Sequence, residues 1–254
     1  MHFTKMQGLG NDYLYIYADS VPENAADLSI RLSDRHFGPG ADGLIFIGPS
    51  DKADFRMRIF NADGSEAKMC GNGIRCVGKY VWDKGLTDRT DLVIETGAGP
   101  RRLHLHSEGG TVASVTAEMG KALVEPRAEG AFFVNVGNPH LVLFVDDAET
   151  APLLTEGPAL SGSMPGGVNV EFVQVLGPNR LRMRVWERGS GVTLACGTGA
   201  CAAAAAAVSR GSCEAGTPVE VRLDGGSLRI TVDHAGALRM EGPAVTVYEG
   251  EIEV

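Results

Sequence analysis

The sequence predicts an α+β fold made of two similar domains that arose by internal duplication. Three blocks recur in the same order along the 254 residues, at nearly one separation. The first two blocks repeat after 126 positions and the third after 127. The matching blocks are residues 55–60 with 181–186, 70–73 with 196–199, and 10–17 with 137–144. Since chance similarity between strands would not fix the spacing between blocks, we expect two domains of one fold.

The strands of both domains are predicted from apolar alternation. Residues 55–60 (FRMRIF) and 181–186 (LRMRVW) alternate apolar side chains with Arg, which is typical of strands with one solvated face. Residues 90–94 and 219–223 also have the composition of strands. The 34 glycines and 12 prolines are spread between apolar runs, which indicates many short elements joined by tight turns.

One long helix is predicted in each domain, directly after a Cys-Gly-x-Gly sequence. In the first helix, apolar residues follow Ile74 at positions i+3, i+6 and i+7, and Gly85 suits the C-terminal end. The second helix covers 200–209, is rich in alanine and is followed by Gly211. Because its side chains are small, we expect this helix to lie centrally in its domain.

Composition and charge argue against several classes of protein. The net charge of −9 argues against a general nucleic-acid binder. No apolar run approaches the roughly 18 residues of a membrane span, and the N-terminal residues lack the pattern of a secretion signal. Five cysteines, an odd number, cannot form a complete set of internal disulfides. We therefore expect a cytoplasmic protein with reduced thiols and with neither nucleic acid nor membrane as a partner.

Two cysteines stand at equivalent positions, each directly before a predicted helix. Backbone N–H groups at a helix N-terminus are unpaired and carry partial positive charge. A thiol there is expected to have its pKa lowered from about 8.5, and the thiolate is its reactive form. The same N–H groups can hold a carboxylate, and the flanking glycines let a ligand approach. Cys70 and Cys196 therefore each offer a base beside a carboxylate-binding site.

Two equivalent thiols fit one type of reaction particularly well, the inversion of a carbon that bears a hydrogen. One group removes the proton from one face and the other delivers a proton to the opposite face. Because the reverse reaction exchanges these roles, the two groups should be chemically alike, one as thiolate and the other as thiol.

Other interpretations of the cysteines are weaker. Cys76, Cys201 and Cys213 have no matched partner and are expected to be small buried side chains. A metal site is not expected, because there is no Cys-x2-Cys pair. The histidines at 104 and 106 lie on a predicted strand that is separate in sequence from the cysteines. A phosphatase loop needs five residues between Cys and Arg, whereas four separate Cys70 from Arg75, and there is no Walker A sequence.

Eight segments, in order, resemble diaminopimelate epimerase, and the similarity runs from about residue 5 to Val254. The segments are GLGND (8–12), GADG (40–43), NADGSE (61–66), CGNGIRC (70–76), GNPH (137–140), VNVEF (168–172), ERG (187–189) and ACGTGA (195–200). The resemblance implies an epimerase that needs neither pyridoxal phosphate nor metal. Its reaction would be the interconversion of LL- and meso-2,6-diaminopimelate, an intermediate for lysine and peptidoglycan.

The resemblance also implies an architecture. Each domain would be a β-sheet wrapped around a central α-helix, with the active site in the cleft between the domains. The first domain would cover residues 1–113, joined by a returning C-terminal strand at 244–254, and the second would cover 114–243. Family members are commonly homodimers, and Tyr248 matches a tyrosine at the family's dimer contact.

Site residues follow by position in the matching motifs. Cys70 and Cys196 would be the two acid–base residues, and His140 and Glu187 would tune the pKa of the thiols. Substrate would be bound by a mainly neutral set of groups. That set is Asn11, Asn61, Gly71, Asn72, Asn138, Asn169, Glu187, Arg188, Gly197 and Thr198. No cofactor is implied.

Two features depart from the family pattern, and two other functions stay open. Many members carry Gln where Gly43 stands, and the loop at 161–167 lacks the His and aromatic residue often found there. One alternative is a racemase of the same fold that acts on histidine or proline, although Arg188 favours a substrate with a second charged head. The other is a redox switch that uses both thiols. Catalysed exchange of a substrate α-hydrogen with solvent deuterium would exclude that alternative.

Overall fold

The structure is a computed structural model that describes residues 1–253. Val254, which ends both the similarity and the expected returning strand at 244–254, lies outside the described residues. The chain divides into two compact units. Unit 1 comprises Met1–Ala117 together with the segment from Gly242 onward, and unit 2 comprises Glu118–Glu241. The domain boundaries expected from the sequence, at 113/114 and 243/244, stay a prediction.

Residues 1–253 form four α-helices and eighteen β-strands. The helices are α1 (Ala25–Ser33), α2 (Gly71–Asp83), α3 (Leu153–Ser161) and α4 (Gly197–Ser209). The first nine strands are β1 (His2–Gly8), β2 (Asn11–Tyr17), β3 (Gly43–Gly48), β4 (Phe55–Asn61), β5 (Glu66–Ala67), β6 (Asp91–Glu95), β7 (Arg101–Glu108), β8 (Thr111–Lys121) and β9 (Leu123–Pro126). The other nine are β10 (Phe132–Asn135), β11 (Pro139–Phe144), β12 (Asn169–Gly177), β13 (Arg180–Glu187), β14 (Gly191–Val192), β15 (Pro218–Leu223), β16 (Gly226–Val232), β17 (Ala237–Pro243) and β18 (Val245–Glu251).

The two units repeat one strand topology, as the duplicated sequence blocks predict. In unit 1, β2 pairs in parallel with β3, β3 pairs antiparallel with β4, and β4 pairs in parallel with β6. In unit 2 the corresponding pairs are β11 with β12, β12 with β13 and β13 with β15, with the same directions. Even the register repeats, because Leu14 lies opposite Leu44 in unit 1 and Leu141 lies opposite Val170 in unit 2. The α+β fold with an internal duplication is therefore confirmed.

Each unit holds one of the two 13-residue helices against the inner face of its sheet. In α2, Ile74, Val77 and Val81 are fully buried, and the helix packs against β1, β2 and β7. In α4, the alanines from 202 to 207 are buried, and the helix contacts seven strands of unit 2. The two helices begin at Gly71 and Gly197, one residue after Cys70 and Cys196 respectively. The prediction of a central alanine-rich helix is confirmed.

Two short helices were not predicted from the sequence. α1 packs against β3 and β4, and the Ser29 hydroxyl donates to the backbone oxygen of Phe60 at 2.9 Å. α3 carries Gly157 and Pro158, which disfavour a helix in isolation. Gly157 is nevertheless suited to its place, because a Cβ there would lie 2.9 Å from Cβ of Trp186. Tertiary packing against the sheet therefore stabilises α3 where local propensity does not.

The C-terminal strand β18 pairs with the N-terminal strand β1. β18 pairs antiparallel with β1, which places Glu251 opposite His2. Among residues 1–253, no helix has the length and apolar character that crossing a bilayer requires.

The close packing of α4 yields a prediction about stability. Ala204 is fully buried in the middle of α4, so Ala204→Leu should lower the free energy of unfolding by about 1–3 kcal/mol through overpacking. Ser209→Leu, at the exposed end of the same helix, should change it by no more than about 0.5 kcal/mol. Urea denaturation of both variants measures the difference, and equal effects would contradict the central position of the helix.

Candidate active site

Both matched cysteines are the N-caps of their helices, with nearly the same backbone geometry. Cys70 has φ −137° and ψ 117°, and Cys196 has φ −116° and ψ 107°. Each sulfur accepts a hydrogen bond at 3.3 Å from the backbone N–H three residues later, of Gly73 or Gly199. This is the geometry of a side chain that satisfies one of the unpaired N–H groups at a helix start. The sequence prediction of two equivalent thiols at helix starts is confirmed in its geometry.

The glycine three residues after each cysteine is required by close neighbours. A Cβ at Gly73 would lie 2.7 Å from Cδ1 of Ile45, and a Cβ at Gly199 would lie 2.8 Å from Oε1 of Glu171. At Gly199 it would also lie 3.2 Å from the sulfur of Cys196. The Cys-Gly-x-Gly sequence therefore lets the helix start approach both the strand behind it and its own thiol.

The expectation that the helix starts lower the pKa of the two thiols is wrong. Burial raises the pKa of Cys70, and the backbone hydrogen bonds from Gly73 and Asn72 offset this only in part. Burial raises the pKa of Cys196 well above its ordinary value, and the carboxyl groups of Glu187 and Glu171 raise it further. The helix N–H groups do act in the expected direction, but loss of hydration of the thiolate is the larger effect.

In unit 1, amide side chains surround Cys70. The Cys70 thiol donates to Oδ1 of Asn11 at 3.4 Å, and Nδ2 of Asn72 donates to the same oxygen at 3.4 Å. Nδ2 of Asn11 donates to Oδ2 of Asp42 at 2.7 Å, which fixes the orientation of the Asn11 amide. The Tyr13 hydroxyl lies near the thiol and lowers the pKa of Cys70. Four of the predicted residues (Asn11, Cys70, Gly71 and Asn72) are thus brought together.

In unit 2, acidic side chains lie near Cys196. The sulfur lies 3.5 Å from Oγ1 of Thr198, which accepts from Nδ2 of Asn138 at 3.3 Å. Oε1 of Glu187 accepts a hydrogen bond from the Thr193 hydroxyl, and burial raises the pKa of the Glu187 carboxyl group.

His140 continues this set of contacts away from the thiol. Its Nε2 lies 3.1 Å from Oδ1 of Asn138, and its Nδ1 lies 2.6 Å from Oε1 of Glu171. The side chains of His140 and Glu171 are completely buried. His140 is therefore held between an amide and a carboxylate.

Three further predicted residues lie in local contacts of their own. Nδ2 of Asn61 donates to Oγ of Ser65 at 3.0 Å, within the turn that follows β4. Oδ1 of Asn169 accepts from the backbone N–H of Arg188 at 2.9 Å. The Arg188 side chain is exposed, and its Nη1 donates to the backbone oxygen of Gly166 at 2.7 Å. The structure thus joins Asn169, Arg188 and the loop at 161–167, whereas the side-chain hydrogen bond of Asn61 is made to Ser65 and not to Cys70.

The two departures from the family pattern have structural counterparts. A Cβ at Gly43 would lie 2.1 Å from the backbone oxygen of Phe60, so this backbone accepts no side chain at that position. Gly167 has φ +74°, and a Cβ there would lie 2.7 Å from Cδ of Arg188. Glycine at 167 therefore lets the Arg188 side chain lie across the loop.

Three residues near the thiols received no role in the sequence analysis. Tyr13, Asp42 and Glu171 all lie inside or beside the quoted motifs. For Glu171 a signal was present, because a charged residue interrupts the apolar run of β12 between Val170 and Phe172. Buried charges in such positions are rare unless they are paired. Among residues 1–253, no group of three or more His, Cys, Asp or Glu side chains has the arrangement of a metal site.

Solved structures with this fold include several epimerases and isomerases. A *Bacillus anthracis* phenazine biosynthesis protein of the PhzF family aligns with a TM-score of 0.81 at 16% identity, over 100% of this chain and 99% of that one. A probable proline racemase from *Agrobacterium radiobacter* K84 aligns with a TM-score of 0.74 at 16% identity, over 100% and 93%. At such low identity these similarities concern the fold alone.

Sequence relatives are much more similar. Diaminopimelate epimerase from *Bacteroides thetaiotaomicron* is 51% identical over 265 residues, which cover 99% of this chain and 97% of that protein. The enzyme of the same name from *Methanococcus maripaludis* is 45% identical over the full length of both chains. The family model of diaminopimelate epimerase matches residues 3–124 and again 132–247, one segment for each repeat. The chain therefore belongs to the diaminopimelate epimerase family.

Proposed function

We propose that the protein interconverts LL- and meso-2,6-diaminopimelate by a two-base mechanism in which Cys70 and Cys196 are the acid–base pair. The observation that carries the mechanism is the repeated N-cap geometry, which gives two thiols the same hydrogen bond at the starts of two equivalent helices. The substrate follows from the relatives of this name, at up to 51% identity over nearly the whole chain.

In the proposed reaction the two thiols act on opposite faces of the substrate α-carbon. The thiolate of one cysteine takes the α-proton, so that an S–H bond forms and the C–H electron pair remains on the substrate, delocalised into its carboxylate. The thiol of the other cysteine gives its proton to the opposite face of the same carbon. The configuration is inverted, and the two cysteines have exchanged protonation states. The reverse reaction then follows the same path.

The helix starts are suited to hold the reacting carboxylate. Backbone N–H groups of Gly71, Asn72, Gly197 and Thr198 lie at the first positions of α2 and α4, and helix starts of this kind bind anions. As negative charge moves onto the carboxylate during proton removal, fixed donors at these positions stabilise it. Asn11 and Asn138 add neutral donors and acceptors that do not titrate.

The two cysteines differ in how readily they lose a proton. Cys70 is partly exposed and lies among amides, whereas Cys196 is buried beside Glu187 and Glu171. We therefore expect Cys70 to lose its proton more readily than Cys196 in the free enzyme.

Arg188 is the proposed partner of the distal carboxylate. Its hydrogen bonds to Gly166 and Gly167 use Nη1, and no acceptor among residues 1–253 takes a hydrogen bond from Nε or Nη2. A guanidinium presents these N–H groups in the planar arrangement that matches a carboxylate. We assign Asn61 and Asn169 to the substrate's other polar groups.

The proposal extends to the assembly and location of the enzyme. β18 pairs with β1 on one side and carries the exposed side chains Val245, Val247 and Tyr248. We propose a cytoplasmic homodimer in which Tyr248 lies at the contact between the subunits. The proposed domains are residues 1–113 with 244–254, and residues 114–243.

The activity itself is tested with a choice of substrates. Purified protein is incubated separately with LL-diaminopimelate, L-proline and L-histidine, and the stereoisomers are separated chromatographically. We expect meso-diaminopimelate to accumulate, with no D-proline or D-histidine. Racemisation of proline or histidine in preference to diaminopimelate would instead support the alternative amino-acid racemase.

The two-base mechanism predicts that neither cysteine is dispensable. Cys70→Ala and Cys196→Ala should each lose epimerase activity by a factor of at least about 100, the lower end of what general acid–base groups contribute. Cys213→Ala, outside both helices, should retain activity. Circular dichroism checks that all three variants are folded. Turnover near the wild-type rate in either of the first two variants would rule out paired thiols.

The different surroundings of the thiols predict the order in which they are alkylated. Because Cys196 is buried beside two carboxyl groups that oppose its thiolate, whereas Cys70 is partly exposed, the reactive thiolate of Cys196 should form only at higher pH. Iodoacetamide labelling from pH 7 to 10, read by peptide mass spectrometry, should modify Cys70 first at every pH. Faster labelling of Cys196 near neutral pH would contradict the expectation that Cys70 loses its proton more readily.

A charged distal carboxylate predicts a specific role for Arg188. Arg188→Met should lower kcat/KM for diaminopimelate by roughly 10- to 150-fold, the equivalent of about 1.5–3 kcal/mol for hydrogen bonds to a charged group. Arg180→Met is the control, since Arg180 is also exposed in unit 2 but lies on β13 away from the loop. Losses of similar size in both variants would remove the basis for a substrate with two charged ends.

A further inference from the structure

Asp42 is a partly exposed carboxylate that the proposed mechanism does not use. Its Oδ2 accepts from Nδ2 of Asn11 at 2.7 Å and from the backbone N–H of Asp12 at 3.1 Å. Its Oδ1 accepts from Nη2 of Arg35 at 3.0 Å. Because a backbone N–H and a guanidinium can only donate, both oxygens of Asp42 act as acceptors. The Asn11 amide therefore turns its NH₂ group toward Asp42 and its oxygen away.

A second set of contacts fixes the same amide from its oxygen side. Oδ1 of Asn11 accepts from Nδ2 of Asn72 at 3.4 Å, and Oδ1 of Asn72 accepts from Nη2 of Arg75 at 3.1 Å. The hydrogen bonds thus run in one direction, from the guanidinium of Arg75 through two amides to the carboxylate of Asp42. Reversing either amide would place two donors or two acceptors face to face, so the two charged ends set the direction of the whole series.

The Cys70 thiol lies beside the oxygen that this series holds in place. The thiol donates to Oδ1 of Asn11 at 3.4 Å, while its sulfur accepts from the backbone N–H of Gly73 at 3.3 Å. A hydrogen bond donated by the thiol favours its protonated form, whereas an amide N–H at the same place would favour the thiolate. The oxygen of Asn11 therefore increases the proton affinity of the sulfur, which favours removal of a proton from a weakly acidic carbon.

The carboxylate belongs to only one of the two repeats. By the register of the parallel strand pairs, Asp42 corresponds to Val168, and Asn11 corresponds to Asn138. Val168 is completely buried and apolar, so its side chain cannot accept a hydrogen bond. The duplication thus retained the amide in both units, but the carboxylate that orients it occurs in the unit that holds Cys70.

We propose that Asp42 is a positioning residue for the reaction: by accepting from Nδ2 of Asn11, it holds Oδ1 of that amide against the Cys70 thiol, so that the sulfur faces an acceptor and not an N–H donor. The inference rests on the proposed function, because it gives Cys70 the role of a base. Asp42 acts here through Asn11 alone.

The backbone of Asp42 is held independently of its side chain, which makes variants at this position informative. Its N–H donates to the backbone oxygen of Asp12 at 2.7 Å, and its oxygen accepts from the N–H of Ala62 at 2.9 Å. A change of the side chain should therefore release the Asn11 amide and leave the backbone in place. The other titratable groups that act on the Cys70 thiol stay unchanged in such variants; they are Tyr13, Tyr15, Arg75 and Cys76.

Dependence on Asn11 is tested by a double-mutant cycle that needs no substrate. The rate at which iodoacetamide alkylates Cys70 at pH 8 is read by peptide mass spectrometry. Asp42→Ala should speed labelling about 2- to 10-fold, the size of one hydrogen bond between neutral groups, because the thiol loses its fixed acceptor. In an Asn11→Ala background the same change should alter the rate by less than about 1.5-fold. Equal effects in both backgrounds, or none in either, would overturn the proposal.

Asp54 provides a matched control in the same unit. Its carboxylate also accepts from one backbone N–H, that of Val93 at 2.7 Å, and from one guanidinium, that of Arg89 at 2.6 Å. Asp54→Ala should therefore leave Cys70 labelling unchanged in both backgrounds.

Asp42→Asn separates the acceptor from the charge. The N–H of Asp12 should hold the oxygen of the introduced amide in the place of Oδ2, where it still accepts from Asn11. Cys70 should then be labelled at the wild-type rate. Labelling as fast as in Asp42→Ala would mean that the charge acts directly, which would contradict a positioning role.

The orientation of the amide is also measured in the wild type by NMR. Comparison with Asn11→Asp identifies the NH₂ signals of Asn11 in ¹⁵N-labelled protein. These protons should show nuclear Overhauser contacts to the amide proton of Asp12, since both groups donate to one oxygen of Asp42. Contacts to the β-protons of Cys70 instead would show a reversed amide and overturn the proposal, whether or not the variants fold.

The kinetic consequence is measured with diaminopimelate, at a pH where kcat no longer changes with pH. Asp42→Ala should lower kcat roughly 2- to 10-fold, while Asp42→Asn and Asp54→Ala stay within about 1.5-fold of the wild type. Unchanged kcat in Asp42→Ala, with Cys70 labelling altered, would overturn the link to the reaction. Absence of wild-type activity on diaminopimelate would contradict the proposed function, whereas labelling and NMR would still decide the placement of the amide.

Discussion

Both candidate acid–base residues depend on one local interaction, the hydrogen bond that a cysteine N-cap accepts from the backbone N–H three residues later. This bond fixes each sulfur at a helix start, beside the N–H groups that suit a carboxylate. It also requires glycine at the third position, where Gly73 lies against Ile45 and Gly199 lies against Glu171. The helices, in turn, are held in place by the sheets that wrap around them. The first turns of α2 and α4 therefore contain both the packing contacts of the glycines and the hydrogen bonds of the candidate acid–base thiols.

Duplication gave the two units one topology but not one electrostatic environment. In unit 1 the cysteine lies among the amides of Asn11 and Asn72, with Asp42 directed at the far side of Asn11. In unit 2 the equivalent cysteine lies near two carboxyl groups and a buried histidine. An epimerase needs chemically alike groups, yet it must begin each turnover with one proton between two thiols. In the proposed two-base mechanism the different surroundings supply that asymmetry, while the backbone geometry stays the same.

Sequence patterns predicted the features that depend on local periodicity and on repetition. These were the duplicated strands, the two long helices and the N-cap cysteines, because apolar spacing and glycine positions record them directly. They did not predict α3, which contains Gly157 and Pro158 and in which Gly157 packs against Trp186. The predicted lowering of the thiol pKa was also wrong, since desolvation depends on burial by residues that are distant in sequence. No role was predicted for Glu171 for a similar reason, because its partner His140 lies on another strand.

The most direct test of paired thiols follows the fate of hydrogen in a single conversion. LL-diaminopimelate is incubated with the enzyme in deuterium oxide and the reaction is stopped at low conversion. If one cysteine removes the proton and the other, already equilibrated with solvent, delivers its own, the meso product carries α-deuterium while recovered LL substrate carries almost none. A meso product that retains the original hydrogen would mean that one group carries the proton from face to face, which would contradict the two-base account.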